Sequence, residues 1–193
     1  MKAADHDFKP EQKVTPFGIY LPDHGELYLY MTTSRVTSAF IVDCLQQFWA
    51  TVCTRFPAVK TLLINADNGP ENHSRRTQFM ARLTQFADCT QLTVHLAYYP
   101  PYHSKYNPVE RVWGGLEQHW NGSLLDSVEA LLNFAATLTW RSLHPLVNLV
   151  TRTYPTGKRL AQSAMCQLER RFQRLIGLEP WFVWIHPLPL NAG

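Results

Sequence analysis

Val59-Lys60-Thr61-Leu62-Leu63-Ile64-Asn65-Ala66-Asp67-Asn68-Gly69-Pro70 is the stretch that decides the fold. A short continuous apolar run such as Leu62-Leu63-Ile64 reads as a strand covered on both faces, and Asp67-Asn68-Gly69-Pro70 stops it with turn chemistry. The strand therefore delivers Asp67 at its C-terminal tip. Downstream, Phe79, Leu83 and Phe86 recur at helical spacing, and Leu92, Val94 and Leu96 alternate as in a strand. Two strands flanking a helix form a βαβ unit, whose right-handed crossover brings both strand tips to one edge of a parallel sheet.

Upstream, Phe17 to Leu21 and Leu27 to Met31 are aromatic and aliphatic runs separated by Pro22-Asp23-His24-Gly25, which predicts a β-hairpin. Val36, Phe40, Cys44, Leu45, Phe48 and Val52 then predict a helix capped near Thr33-Ser34 and ending near Phe56-Pro57. Beyond the second strand of the βαβ unit, a proline-held loop runs from Tyr98 to Tyr106. A helix follows from Asn107-Pro108 with Val109, Val112, Trp113, Leu116 and Trp120 on one face, and a further helix spans roughly Asp126 to Trp140. Trp181 to Ile185 reads as a final strand. The reading is one α/β unit over residues 1–150 with a basic C-terminal extension over 151–193.

The chain has 193 residues, of which 46% are hydrophobic and 17% charged. That composition suits a folded globular chain rather than a disordered segment or a coiled coil. No apolar run approaches the roughly 20 residues a bilayer crossing needs, and the start lacks a signal peptide, so no membrane partner and a cytoplasmic setting are expected. Cys44, Cys53, Cys89 and Cys166 form no C-x-x-C pair and read as reduced thiols. The net charge of +3 hides an asymmetry: from Thr151 to Ile176 lie Arg152, Lys158, Arg159, Arg170, Arg171 and Arg174 against Glu169 alone. Such a block suits nucleic-acid phosphates, and equally a solvated helix face.

Two carboxylates stand out. Asp67 sits where ligands bind open α/β sheets, beyond the carboxyl ends of the strands, although Asp-Asn-Gly also makes an ordinary tight turn. Glu110 falls at the third helical position after Asn107, where a glutamate can close a capping box. The loop before it also returns it towards the edge that carries Asp67. Two carboxylates converging there make a hard, oxygen-rich site suited to Mg²⁺ or Mn²⁺. Lys105 and Arg111 flank that site and could meet phosphates, as could Arg170, Arg171 and Arg174. His95, His103 and His119 show no metal-ligand spacing, and Trp113 and Trp120 read as core.

Pro100-Pro101-Tyr102-His103-Ser104-Lys105-Tyr106-Asn107-Pro108-Val109-Glu110-Arg111-Val112-Trp113 resembles the third-carboxylate motif of mariner-like and bacterial insertion-sequence transposases. Asp67-Asn68-Gly69-Pro70-Glu71 is similar to the second-aspartate motif of retroviral-type integrases, and 42 residues separate Asp67 from Glu110. From His6-Asp7-Phe8 through Tyr154-Pro155-Thr156-Gly157 to the Trp-rich end, the order of elements resembles the Rhodopirellula-type DDE transposase domain. The resemblance implies an RNase H-like mixed sheet flanked by helices, two metal ions held by an Asp, Asp, Glu triad, and cleavage and joining of transposon ends to target DNA. Asp67 and Glu110 match the second and third triad members. The first lies, in the family, on an opening strand upstream of His6, so the resemblance implies a core lacking that strand. Asp5, Asp7 and Glu11 sit in a polar lead-in without strand pattern, and Asp23 in a hairpin turn. The expected consequences are a chain inactive by itself, a nucleoid-associated setting only when bound to DNA, and either homo-oligomers or a complementing segment at the strands' unpaired inner edges. A catalytically inactive DNA-binding remnant is the alternative.

Overall fold

The computed structural model describes residues 13–100, 106–123 and 125–189. The hairpin forms as its sequence predicts. β1 (Thr15–Leu21) and β2 (Glu26–Thr32) pair antiparallel, with Leu21 opposite Glu26, and Gly25 takes a positive φ of 70° in the turn. α1 (Ser38–Val52) starts at Thr37 rather than at Thr33-Ser34, because the Thr37 hydroxyl accepts the Phe40 amide. A single 3₁₀ turn (Cys53–Arg55) ends it.

β3 (Thr61–Ala66), α2 (Thr77–Thr90) and β4 (Thr93–Tyr98) form the expected parallel βαβ unit, with Thr61 opposite Thr93 and Ala66 opposite Tyr98. α3 (Pro108–Trp120) begins at an Asn107 cap whose side chain accepts the Val109 amide. α4 (Val128–Ala136) is shorter than the sequence suggests. Trp140 and Leu143 bridge around Arg141 and Ser142, both at positive φ, so the chain turns back sharply. β5 (Leu146–Val150), α5 (Gln162–Glu169), β6 (Phe172–Arg174) and β7 (Phe182–Ile185) complete the described elements.

The strands form two sheets, ordered β1-β2-β5 and β3-β4-β7-β6. β5 runs parallel to β2, and β7 pairs antiparallel with both β4 and β6. The stretch read as a basic extension therefore contributes two strands to the sheet that carries the βαβ unit. Alternate faces of β2 build two cores. Tyr28 and Tyr30 meet α1 and α2, together with Val94 and Leu96 of β4 and Val183 and Ile185 of β7. Leu27, Leu29 and Met31 meet Val112 and Leu116 of α3 and Ala135 of α4. This α/β arrangement, mixed sheets flanked by helices, is compatible with an RNase H-like fold.

One expectation fails in an informative way. The Leu62-Leu63-Ile64 strand is not covered on both faces: Thr61, Leu63 and Asn65 are exposed, Leu63 to 53%. β3 is an edge strand, and α3 and α4 pack over the other sheet instead.

α3 crosses β1 at Gly18, where an added Cβ would lie 2.8 Å from Trp113 Cη2. Because that contact leaves no room for a methyl group, Gly18→Ala is expected to displace Trp113 and cost about 1–3 kcal/mol. Urea denaturation measures it, and an unchanged midpoint would show that α3 docks without this close approach.

Candidate active site

Asp67 stands just past the end of β3 and is exposed. Its Oδ1 accepts from the Gly69 amide at 3.2 Å and from Asn72 Nδ2 at 2.8 Å, which fixes the carboxylate against its own loop. Asn68 at φ 62° and the close approach of Gly69 give the chain its turn. Asn and Gly are the residues that tolerate such a turn. The sequence left open whether Asp67 is a turn residue or a ligand. Its side chain serves the turn with Oδ1, and no described residue bonds to Oδ2.

The loop below Asp67 is anchored from four directions. Glu71 accepts the Ser38 amide and hydroxyl through Oε2, both at 3.1 Å, and takes both carboxylate oxygens to Arg76. It thereby caps the first turn of α1 from another part of the chain. The Tyr98 hydroxyl donates to the Asn72 carbonyl at 2.6 Å, and burial raises the phenol's pKa so that it stays a donor. Ser74 donates to the Pro180 carbonyl, and Arg174 donates to the Ser74 carbonyl. His73, within this loop, has its pKa lowered by burial and by Arg76 and Arg75.

Glu110 lies in the first turn of α3, exposed, one residue after Val109, which packs over Gly18 of β1. Among the described residues no capping box forms: the Asn107 side chain caps the helix alone, and the Glu110 carboxylate bonds to nothing described. Asp67 and Glu110 thus stand on elements belonging to different sheets, β3 and the helix over β1. No hydrogen bond or ion pair joins them.

The remaining sequence candidates divide. Arg111 is exposed beside Glu110, and Arg170 is exposed at the end of α5. Arg171 makes a bidentate pair with Asp88 and also donates to the His186 carbonyl. Arg174 is held by Glu169 and by the Glu179 and Ser74 carbonyls. Those two guanidinium groups are spent inside the protein, and Arg174 acts as a support for the Asp67 loop. Lys105, His103, Asp5, Asp7 and Glu11 lie outside the described residues.

Sequence reasoning passed over two groups. Glu71 stands in the sequence only as part of the Asp67-Asn68-Gly69-Pro70-Glu71 motif, and its five-residue separation from Arg76 across a loop carries no local signal of their ion pair. Asp43, 9% exposed on α1, accepts from Arg82 of α2, from Arg152 at 2.9 Å and from the Tyr154 hydroxyl at 2.9 Å. No local pattern predicts that hub, since its partners lie as many as 111 residues away.

The model of the family described as the Rhodopirellula transposase DDE domain matches residues 1–187. The chain belongs to that family. No curated protein and no solved structure matches it. A DDE domain implies divalent metal ions, and the donor chemistry here fits: exposed carboxylate oxygens suit a hard cation. Among the described residues, however, no three His, Cys, Asp or Glu side chains gather as a metal-binding group, and no helix is long and apolar enough to cross a membrane.

The Glu71 anchor makes a prediction independent of activity. Glu71→Ala removes charge-assisted hydrogen bonds to Ser38 and Arg76 and should cost about 1–3 kcal/mol. Amide exchange should accelerate selectively in residues 68–76 and in the first turn of α1. Acceleration spread evenly over the domain would mean the loop has other supports.

Proposed function

We propose that this DDE domain is the catalytic core of an insertion-sequence transposase that cleaves transposon ends and joins them to target DNA. Asp67 and Glu110 would be its metal-binding carboxylates. The observation that supports this most is the pair itself: an aspartate at the tip of β3 and a glutamate in the first turn of α3, in family order, each carrying an exposed carboxylate oxygen. Bound Mg²⁺ or Mn²⁺ would supply Lewis-acid stabilisation of the attacking and leaving oxygens of a phosphodiester.

The chain's own residues do the positioning. Gly69 and Asn72 hold one oxygen of Asp67 and leave the other for a ligand. Glu71, Tyr98 and Arg174 tie that loop to α1, β4 and β6. A site carboxylate held this way meets its ligand without first losing side-chain freedom.

DNA would be held by cations that have no internal partner. Arg111, Lys158, Arg159 and Arg170 are exposed and make no ion pair among the described residues, whereas Arg152, Arg171 and Arg174 do. The division into a catalytic core over 1–150 and a DNA-contacting stretch over 151–193 is part of this proposal.

A second reading, a DNA-binding remnant without chemistry, is favoured by the lack of a third acidic ligand gathered with Asp67 and Glu110 among the described residues. Mn²⁺ titration of the chain, followed by calorimetry, separates the two. Loss of an outer-shell partner alone costs about 10- to 100-fold in metal affinity. Asp67→Asn and Glu110→Gln should therefore each weaken binding by about tenfold or more. Metal binding that neither substitution alters would leave the remnant as the reading that stands.

The DNA interface has its own test. Each phosphate neutralised steepens the plot of log K against log salt by about 0.9 for duplex DNA. Replacing Lys158, Arg159 and Arg170 by Gln should flatten that slope by up to about 2.7 and leave thermal stability unchanged. Replacing Arg171 should lower stability instead, because it leaves Asp88 unpaired.

A further inference from the structure

One face of the sheet β3-β4-β7-β6 belongs to neither core. Leu62, Ile64, Val94, Leu96, Val183 and Ile185 point into the core shared with α1 and α2. Strand alternation sends their neighbours to the opposite face. There Leu63, His95, Trp184 and Gln173 form one row across the four strands, and Asn65, Ala97 and Phe182 form the next row towards Asp67. None of these residues is buried, and Leu63, Ala97, Phe182 and Trp184 pack into neither hydrophobic core.

A sheet side turned to water ordinarily carries polar residues, but this one carries rings. His95 and Trp184 lie directly opposite each other and stack, 4.1 Å between centroids and 14° between planes. Phe182 adds a third ring, tilted, 6.3 Å from His95. Burial lowers the His95 pKa, so at neutral pH the imidazole offers a π-face rather than a charge. Around the rings stand the neutral polar side chains of Asn65, Thr93 and Gln173. β3, β4, β6 and β7 contain no Asp or Glu at all, so nothing on the face repels a phosphate. An apolar helix seated here would meet few aliphatic partners, Leu63 and Ala97 alone. Flat rings among neutral polar groups suit a nucleobase, which has its own π-face and polar edge.

We propose that this face is a stacking platform for the unpaired bases of single-stranded DNA, with His95, Trp184 and Phe182 as the rings on which bases lie. The platform deepens the DNA reading given above and rests on it, since it states which form of DNA the domain holds beside Asp67. Phe182 stands in the row nearest the end of β3, and Asp67 directly follows that strand. A DNA strand crossing from Trp184 to Phe182 therefore carries its backbone towards that carboxylate. In a duplex the base faces are already stacked on one another, so the platform adds nothing to duplex binding. Stacking of this kind is tolerant of sequence, because every base has a π-face.

The test uses the whole chain with a labelled deoxythymidine strand, an abasic strand of the same length and a duplex, read by fluorescence anisotropy. Trp184→Ala should weaken binding of the thymidine strand by about tenfold or more, and Trp184→Phe by less. Neither should alter binding of the abasic strand or the duplex. The slope of log K against log salt should stay the same in both variants, because no phosphate contact is lost. A strand carrying 5-bromodeoxyuridine, irradiated with the unsubstituted chain, should crosslink at His95, Phe182 or Trp184. That crosslink needs no substitution and decides the matter where Trp184→Ala fails to fold. Equal weakening of the thymidine and abasic strands, or crosslinks confined to residues 158–170, overturns the platform and leaves the transposase reading standing. If neither strand nor duplex binds, both fail. A dimer that Trp184→Ala converts to a monomer, with strand affinity unchanged, gives the face to a second copy of the chain and overturns the platform as well.

Discussion

The parallel pairing of β3 with β4 carries the rest of the structure. Parallel strands cannot be joined by a tight turn, so α2 must cross over between them and pack Phe79, Leu83 and Phe86 into the core. The same pairing puts the ends of both strands at one edge, where Asp67 directly follows Ala66, the register partner of Tyr98. The Tyr98 hydroxyl then reaches back to the Asn72 carbonyl and closes the loop that holds Asp67. β7 adds to the far side of β4 and brings Pro180 and Arg174 against the same loop. What β4 gains in neighbours, β3 does not share, and its outward backbone groups stay open.

Charge placement follows from the cost of leaving buried ions unpaired. Asp43 is nearly enclosed, and it is surrounded by Arg82, Arg152 and the Tyr154 hydroxyl, so that α1, α2 and the segment after β5 are fastened at one carboxylate. Removing one partner of such a group is more costly than the pair is stabilising, because the remaining charge stays buried. Arg171 with Asp88 does the same where the C-terminal strands meet α2. The basic block seen in the sequence is therefore two populations: guanidinium groups that fasten the fold, and exposed cations that make no ion pair among the described residues.

The site has an asymmetry of the same origin. Asp67 rests on a loop tied to α1, β4 and the C-terminal strands, while Glu110 rides on a helix packed over β1. The two carboxylates belong to different sheets, and any motion of one sheet against the other changes their separation.

Periodicity in the sequence determined the hairpin, α1, the βαβ unit and the start of α3, because each depends on contacts within a few residues: alternation, helical spacing, turn residues and the Asn107-Pro108 cap. It also singled out Asp67 and Glu110 as the ligands proposed here, since motif order survives in the linear chain. Three things were decided only by tertiary structure. Leu63 is exposed despite its apolar run, because exposure of a strand depends on which element lies above it, and α3 went to the other sheet. Arg171 and Arg174 are bound within the fold, because Asp88 lies 83 residues from Arg171 and the Ser74 carbonyl lies 100 residues from Arg174. β5, unread in the sequence, forms because β2 offers Leu146–Val150 a parallel edge, and a five-residue strand has too little local signal to declare itself without that partner.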